Sequence, residues 1–474
     1  MSRLSPFLKQ NSGVLRTIVF LVVLIGVGYG GYLFGYRQGS VTLVAPPVAF
    51  LANPSSTGDP ALVLDDPGSK VDFGDFWKVW NILDKNFTPT ATNTLATSTT
   101  REKVVGAIEG MVNAYGDPYT VFIPKEQAVV FKERVDGAFE GIGAALAQAD
   151  GFTFVTTILP NSPASKSALK PGDKIIAVDD VLTLNLDLET IIPHIRGPVG
   201  SDVTLTVVHD KSDHESTITI TRGTVTIPTT ATRVISAAKS VVDTIAAKVA
   251  ASAAALTGGS KTSKEEAEKK AQAAKQQFFL LRLATFAKSS TDAFVTDLQK
   301  FADSDTPYLI IDLRDNPGGY LDVAVDLASY FLPEDTLVVT ERKGLSADGT
   351  QYRTHKQSTQ GAIAASKRRI VVLINGGSAS ASEILAGALQ DYGVAKIVGQ
   401  TSFGKGSVQT VVDIADLGSL KITIARWFTP KGRSISHTGI TPDIAVDPHD
   451  PKYASSTDPF IDAGTETLLD DSLW

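Results

Sequence analysis

Three short clusters hold the residue types that covalent chemistry needs, and each follows an apolar run. Asp315-Asn316-Pro317-Gly318-Gly319 follows YLIIDLR, Gly377-Ser378-Ala379-Ser380-Ala381-Ser382-Glu383 follows IVVLIN, and the stretch from Gly399 to Gln409 follows AKIV. A serine hydroxyl becomes a nucleophile only beside a base. Neutral lysine can be that base when burial lowers its pKa from about 10.4. Lys405 lies between Gly404 and Gly406, which let neighbouring backbone pack close to its amine. Gln409, four residues on, offers an amide oxygen to orient that amine. Histidine is the alternative base. Of the six, His194, His209 and His214 fall in a β-rich stretch, while His355, His437 and His449 lie in apparent loops without a triad motif. Lysine is the better base here.

The third cluster also approaches the phosphate-binding pattern G-x-x-x-x-G-K-[ST], with Gly399, Gly404 and Lys405 in register. Gly406, however, stands where a hydroxyl must hold Mg²⁺, and SVQTVVDI after it alternates like a strand. Without a helix N-terminus and a metal ligand, a phosphate cradle has no physical basis. With 44 Lys+Arg against 51 Asp+Glu the net charge is −7, which argues against a nucleic-acid partner. No cysteine is present, so disulfides, thiolate metal sites and a cysteine nucleophile are excluded. Six scattered histidines give a metal centre little to draw on, and no cofactor is expected.

The elements that position these clusters alternate strand and helix from Phe278 onward: FFLLRLATF, Thr291 to Phe301, YLIIDLR, Leu321 to Phe331, IVVLING and Ala381 to Tyr392. That alternation argues an α/β core with buried strands, and strand ends are where α/β folds place their sites. At 474 residues the chain has room for about three units. Thr17 to Tyr36 is twenty residues without a charge, long enough to span a bilayer as a helix. Arg3, Lys9 and Arg16 precede it, so residues 1–16 are expected in the cytoplasm, 17–36 as a single-pass anchor in the cytoplasmic membrane, and the rest outside. A cleaved signal peptide, whose apolar core would be shorter and end in a small-residue cleavage site, is the rival reading. Residues 37–70 read as a tether. Residues 71–134 read as a helical region, with apolar stripes at Asp72–Phe87 and Arg101–Tyr115 expected to pack against the larger body.

Residues 135–225 change to short β-like runs, FTFVTTIL, DKIIAVDD, DVTLTVVHD and ESTITITRG, with short helices expected at Ser165–Leu169 and Leu186–Ile195. With Phe139-Glu140-Gly141-Ile142-Gly143-Ala144 at its start and Leu169-Lys170-Pro171-Gly172-Asp173 within, the unit resembles a PDZ domain. The resemblance implies a groove that takes a peptide C-terminus as an added strand, with Gly141, Ile142 and Gly143 offering N–H groups to the carboxylate. Arg196 reads as a solvated side chain or as a link to the next unit. Residues 234–277 are Ala- and Lys-rich with Gly258-Gly259 midway, the pattern of a helical hairpin inserted between units.

From about Asp72 to Val446 the chain resembles a C-terminal processing protease, also called a tail-specific protease. The matching segments are Gly116-Asp117-Pro118-Tyr119-Thr120, the PDZ-like unit, Asn316-Pro317-Gly318-Gly319, Gly377 to Glu383, Gly404 to Gln409, and Thr438-Gly439-Ile440-Thr441-Pro442-Asp443. The resemblance implies a ClpP/crotonase-like α/β protease core at 278–446 with an inserted PDZ domain, followed by a tail at 447–474. It implies Ser380 as nucleophile, Lys405 as general base and Gln409 as its orienting group. It also implies an oxyanion hole from the N–H groups of Gly318 and Ala381. Ser378 and Ser382 then read as capping or solvated hydroxyls. The expected activity is serine endopeptidase cleavage, through an acyl-enzyme, of extracytoplasmic proteins or peptides with free C-termini. The insertion departs from the family pattern between the PDZ-like unit and the core. A membrane-tethered PDZ scaffold without catalysis is the second reading, and the sequence leaves a homo-oligomer open.

Overall fold

The structure, a computed structural model, describes residues 72–88, 99–209, 214–245, 247–248, 276–344, 349–355 and 368–474. The expected cytoplasmic N-terminus, the anchor at 17–36, the linker at 37–70 and the body of the Ala/Lys-rich stretch lie outside these residues. Among the described residues no helix is long and apolar enough to cross a membrane.

Two helices lead, Gly74–Asn86 and Thr100–Asn113. The second opens with a capping box between Thr99 and Glu102 and buries Val112. The first buries no residue, contrary to the expectation that both pack on the body. Its apolar stripe instead meets itself: Phe73, Phe76, Trp77 and Trp80 make ring contacts at 5.1 to 6.1 Å. Strand β1 (Val121–Pro124) and the helix Lys125–Asp136 follow, the latter ending at Gly137 in the left-handed region (φ 70°).

The PDZ-like unit is built from β2 (Ala138–Gly141), β3 (Ala144–Ala149), β4 (Phe152–Ile158), β5 (Lys174–Val178), β6 (Val181–Leu182), the helix Leu188–Ile195, β7 (Asp202–Val208), β8 (Glu215–Thr221) and β9 (Gly223–Thr226). The antiparallel sheet runs β3-β4-β5-β7-β8, with β6 on β5, so β3 is an edge. Period-2 alternation turns Val203, Leu205 and Val207 inward, where Ile191 and Ile195 of the helix join them. β2 pairs with β9 and closes the unit. The helix expected at Ser165–Leu169 is a single 3-10 turn, Ala164–Lys166; Pro163 before it and Pro171-Gly172 after it leave no length for more.

β10 (Thr230–Ser236) and β11 (Gln277–Leu283) pair antiparallel with Ser236 opposite Gln277. The expected insertion therefore loses residues 234–236 and 277 to the sheet, and the chain between them leaves the end of a hairpin. Its first residues turn helical and bury Val241, Val242 and Ile245, while Lys248 bridges Glu466 at 2.9 Å and Asp470 at 3.0 Å.

From β11 the sheet continues in parallel through β12 (Tyr308–Asp312), β15 (Arg369–Ile374), β16 (Lys396–Gly399) and β19 (Ile444–Ala445). Both faces are covered, which is why these strands read as unbroken apolar runs. Phe279, Leu281, Leu309 and Ile311 face the helices Ser290–Ala302, Leu321–Ala328 and Ala381–Asp391. Phe278, Leu280, Ile310 and Val371 face the helix Pro459–Leu469. A second, antiparallel sheet absent from the sequence reading runs β1-β18-β13-β14, with β17 also on β18; its members are β13 (Leu337–Arg342), β14 (Thr350–Arg353), β17 (Ser407–Ile414) and β18 (Gly418–Phe428).

Candidate active site

The first two clusters meet where β12 and β15 end. Asn316, fully buried, holds them together. Its backbone oxygen accepts from Ala379 N at 3.0 Å and Ser382 Oγ at 2.9 Å, and its Nδ2 donates to Leu283 O at 2.8 Å. Ser378 Oγ accepts from Asn375 N and donates to Leu313 O at 2.8 Å. Ser378 and Ser382 are thus structural hydroxyls, spent on tying one strand end to the next.

Ser380 differs from both neighbours. It sits at φ 57°, ψ −117°, a region that L residues rarely occupy, immediately before the helix Ala381–Asp391. Such strain, about 1–3 kcal/mol, persists only where the surroundings impose it. Its N–H donates to Glu383 Oε2 at 2.7 Å, while its Oγ is buried with no hydrogen-bond partner. The Ala381 N–H opens the helix and so has no intrahelical acceptor.

Gly318 lies against this turn at φ 96°. A Cβ there would meet Ala379 O at 2.7 Å, Ser380 Cβ at 2.7 Å and Ala381 N at 2.9 Å. The two residues read as oxyanion donors are therefore neighbours, but the Gly318 N–H donates to Asn316 Oδ1 at 2.9 Å and is committed there. Gly318→Ala is expected to lower kcat for peptide cleavage about 100-fold by shifting the Ser380 turn, with a stability loss above about 1 kcal/mol. Steady-state kinetics beside a thermal melt checks this, and unchanged kcat would remove Gly318 from the site.

Glu383 gathers the third cluster onto the second. Buried at helix position N3, it accepts from Ser380 N, from Ser402 Oγ at 2.6 Å, from Gly404 N at 2.7 Å and from Lys405 N at 3.0 Å. Ser380 N at 2.7 Å and Lys405 N at 3.0 Å share one oxygen of it, so these two backbone atoms lie within about 6 Å of each other. Burial pushes the Glu383 pKa up, and the four donors pull back toward the carboxylate. Gly404, at φ 88°, packs on Gly439 and His437, where a Cβ would come within 3.0 to 3.1 Å of backbone, and Gly406 packs on Ser436, where there is no room for one.

Ser380, Lys405 and Gln409 are 0%, 1% and 0% exposed. Burial, then the nearby Lys421, pushes the Lys405 pKa down to about 7, against the pull of Glu383 and Asp117. Its Nζ sits 5.2 Å over the Tyr119 ring and has no hydrogen-bond partner. Gln409 Nε2 donates to Ser407 Oγ at 2.8 Å and Thr423 Oγ1 at 3.2 Å, and Gln409 Oε1 has no partner. No hydrogen bond joins hydroxyl, amine and amide oxygen in this structure.

The sequence motifs contain Glu383, Asp117, Tyr119 and Thr120 without assigning them a role, and no motif includes Lys421 or Thr423. The S-x-x-E spacing from Ser380 is the capping-box signal that marks Glu383. Lys421 carries no such signal: it is buried within β18, a place a lysine seldom takes.

In the PDZ-like unit Gly143, at φ 81°, presses on Ser162, and Ile142 is buried. Gly141 ends β2 beside the free edge of β3, and the helix Leu188–Ile195 contacts β3 and β5. Arg196 is not simply solvated. It pairs with Glu133 and lies 4.9 Å over the Phe139 ring. Among the described residues no cluster of potential metal ligands occurs.

Residues 278–446 match Peptidase family S41, and residues 130–208 match PDZ domain. The chain is 32% identical over 359 residues to carboxy-terminal processing protease CtpB of Bacillus subtilis (strain 168), covering 75% of this chain and 65% of that protein. It is 32% identical over 349 residues to a probable CtpA-like serine protease of Staphylococcus epidermidis, covering 74% and 61%. The chain thus spans less than two thirds of these relatives' length. Among solved structures, a photosystem II D1 C-terminal processing protease is 25% identical, with 84% of this chain and 97% of that chain covered and a TM-score of 0.42. The PDZ domain of a carboxy-terminal protease from Vibrio cholerae, in complex with peptide, is 33% identical over 19% of this chain and 99% of that chain, with a TM-score of 0.18.

Proposed function

We propose that the chain, whose residues 278–446 match Peptidase family S41 and whose residues 130–208 match PDZ domain, is a serine endopeptidase working through Ser380, Lys405 and Gln409. One observation carries this reading. Ser380 Oγ, Lys405 Nζ and Gln409 Oε1 are buried polar atoms left without partners. Buried orphans of this kind are costly, and a reaction that uses these three together is a reason for the fold to keep them.

In the first step Ser380 Oγ attacks a peptide carbonyl carbon while the neutral Lys405 amine takes the hydroxyl proton. Oxygen charge develops toward the Ala381 N–H, and toward the Gly318 N–H once Asn316 releases it. The C–N bond breaks, Lys405 returns the proton to the leaving amine, and an ester on Ser380 remains. Water then attacks the ester, giving its proton to Lys405, and the acid product leaves with Ser380 restored. Gln409 Oε1 directs the amine by accepting one of its hydrogens.

A substrate C-terminus adds as a strand to the open edge of β3 beside the helix Leu188–Ile195, with its carboxylate at Gly141–Gly143. Substrates are proteins or peptides with free C-termini. The chain is anchored in the cytoplasmic membrane through residues 17–36, with its catalytic part on the extracytoplasmic side.

The test uses the full chain in detergent, with an unfolded protein substrate and a peptide carrying either a free or an amidated C-terminus. Mass spectrometry is expected to find internal cleavage, loss of cleavage in Ser380→Ala, and slower cleavage of the amidated peptide. Undiminished cleavage by Ser380→Ala refutes the mechanism, and equal rates on both peptides refute the recruiting role of the PDZ domain.

A further inference from the structure

The turn Asp117-Pro118-Tyr119-Thr120 lies outside the protease core in sequence yet reaches its centre. Thr120 Oγ1 donates to Asp117 Oδ2 at 2.6 Å, and the same Thr120 oxygen accepts from Thr423 N at 3.0 Å. Thr423 Oγ1 in turn accepts from Gln409 Nε2 at 3.2 Å. A relay thus runs from a carboxylate through Thr120 and the backbone and hydroxyl of Thr423 to the side-chain amide of Gln409.

The direction of that relay follows from what each group can do. An ionised carboxylate only accepts. The Thr120 proton is therefore committed to Asp117, which leaves its oxygen to accept from β18. The Thr423 N–H, held by Thr120, places the Thr423 hydroxyl where its oxygen accepts from Gln409 Nε2. With Ser407 Oγ taking the other hydrogen at 2.8 Å, both amide hydrogens of Gln409 are used and only Oε1 is left. A flipped amide would put an NH₂ group in the place of Oε1, and that group could accept nothing from an amine.

We infer that Asp117 is a positioning residue: through Thr120 and Thr423 its carboxylate fixes the direction of the Gln409 amide and so holds Oε1 ready for the Lys405 amine. The inference rests on the Ser380/Lys405/Gln409 reading above. Burial works against the charge on Asp117, but hydrogen bonds from Thr120, Thr423 and Tyr119 N and the charge of Lys421 hold its pKa below the usual carboxylate range. It therefore stays an acceptor across neutral pH. The groups that face Lys405 are Asp117 and Glu383, the cation Lys421, and the ring of Tyr119.

The experiment measures kcat, KM and the pH dependence of peptide cleavage for the full chain and for Asp117→Asn, Thr423→Val, Thr423→Ser and Gln409→Ala, with Asp117→Asn and Thr423→Val each combined with Gln409→Ala. Thr423→Val is expected to lower kcat roughly tenfold with KM and the acid limb unchanged, and Thr423→Ser to restore it. Asp117→Asn is expected to lower kcat by a similar factor. Because it removes a negative charge facing the amine, it also moves the acid limb to lower pH, which a merely structural role would not do. In the Gln409→Ala background neither change is expected to lower kcat further. Full additivity in that background, or an unmoved acid limb in Asp117→Asn, overturns the inference. Ser380→Ala separates the two levels. If it stays active the reading of the site fails, whereas if it is inactive and Asp117→Asn matches the parent, only the inference fails.

Discussion

Replacing Lys405 by methionine is expected to lower kcat/KM for peptide cleavage by about 10,000-fold and to raise the melting temperature at about pH 8. Both effects come from one buried amine. As a base it must be neutral, so the parent's kcat/KM is expected to rise with pH through about 7, where burial and Lys421 set the pKa of Lys405, and to level off above. In the unfolded chain the same amine titrates near about 10.4. Between these values the unfolded state holds a proton that the folded state has lost. Stability therefore rises with pH across that window and falls as pH drops toward 7. Methionine fills similar volume with neither charge nor orphaned hydrogens, which relieves the cost along with the activity. Kinetics and thermal melts on the same preparations check the pair of effects. A loss of activity below about tenfold, or a lowered melting temperature, would count against Lys405 as a buried neutral base.

The second large effect belongs to Glu383. Removing it in Glu383→Ala leaves Ser380 N, Ser402 Oγ, Gly404 N and Lys405 N without their acceptor in a buried place. Orphaned donors cost about 1–3 kcal/mol each, and partial relaxation lets some find other acceptors, so a loss of at least about 3 kcal/mol is expected. Activity should fall with it, because the carboxylate is what brings the turn of Ser380 and the loop of Lys405 together. Glu383→Gln keeps one acceptor oxygen and should lose less of both. Urea unfolding of the two variants beside the parent measures this, and a loss under about 1 kcal/mol for the alanine variant would show that the two segments are held by other means.

The motifs that carry Ser380, Lys405 and Gln409 stand out in the chain because their Gly residues are required by close backbone contacts. The contacts of Gly404 and Gly406 with 436–439 are of that kind. The parallel strands β11, β12, β15 and β16 were legible for another reason. Burial on both faces leaves an apolar run that no exposed element imitates. The antiparallel sheet of β1, β13, β14, β17 and β18 was hidden apart from β17, because its residues are mixed in burial and β18 buries a lysine. Pairings across great sequence distance, such as β1 with β18, leave no local trace. The same holds for Gly318, whose N–H is taken by Asn316 Oδ1, a side-chain choice that spacing does not encode. The helix Gly74–Asn86 shows the opposite limit: its stripe predicts a helix correctly but not what the stripe touches.

Titration of the lysine amines by NMR tests the central claim most directly. In the full chain labelled with ¹³C at lysine Cε, one signal is expected to titrate near pH 7 and to vanish in Lys405→Met, with Lys421, pushed down to about 8 by burial, assigned through Lys421→Arg. A Lys405 signal that instead titrates near the ordinary value of about 10.4 would mean a charged amine at neutral pH, and Ser380 would have no base.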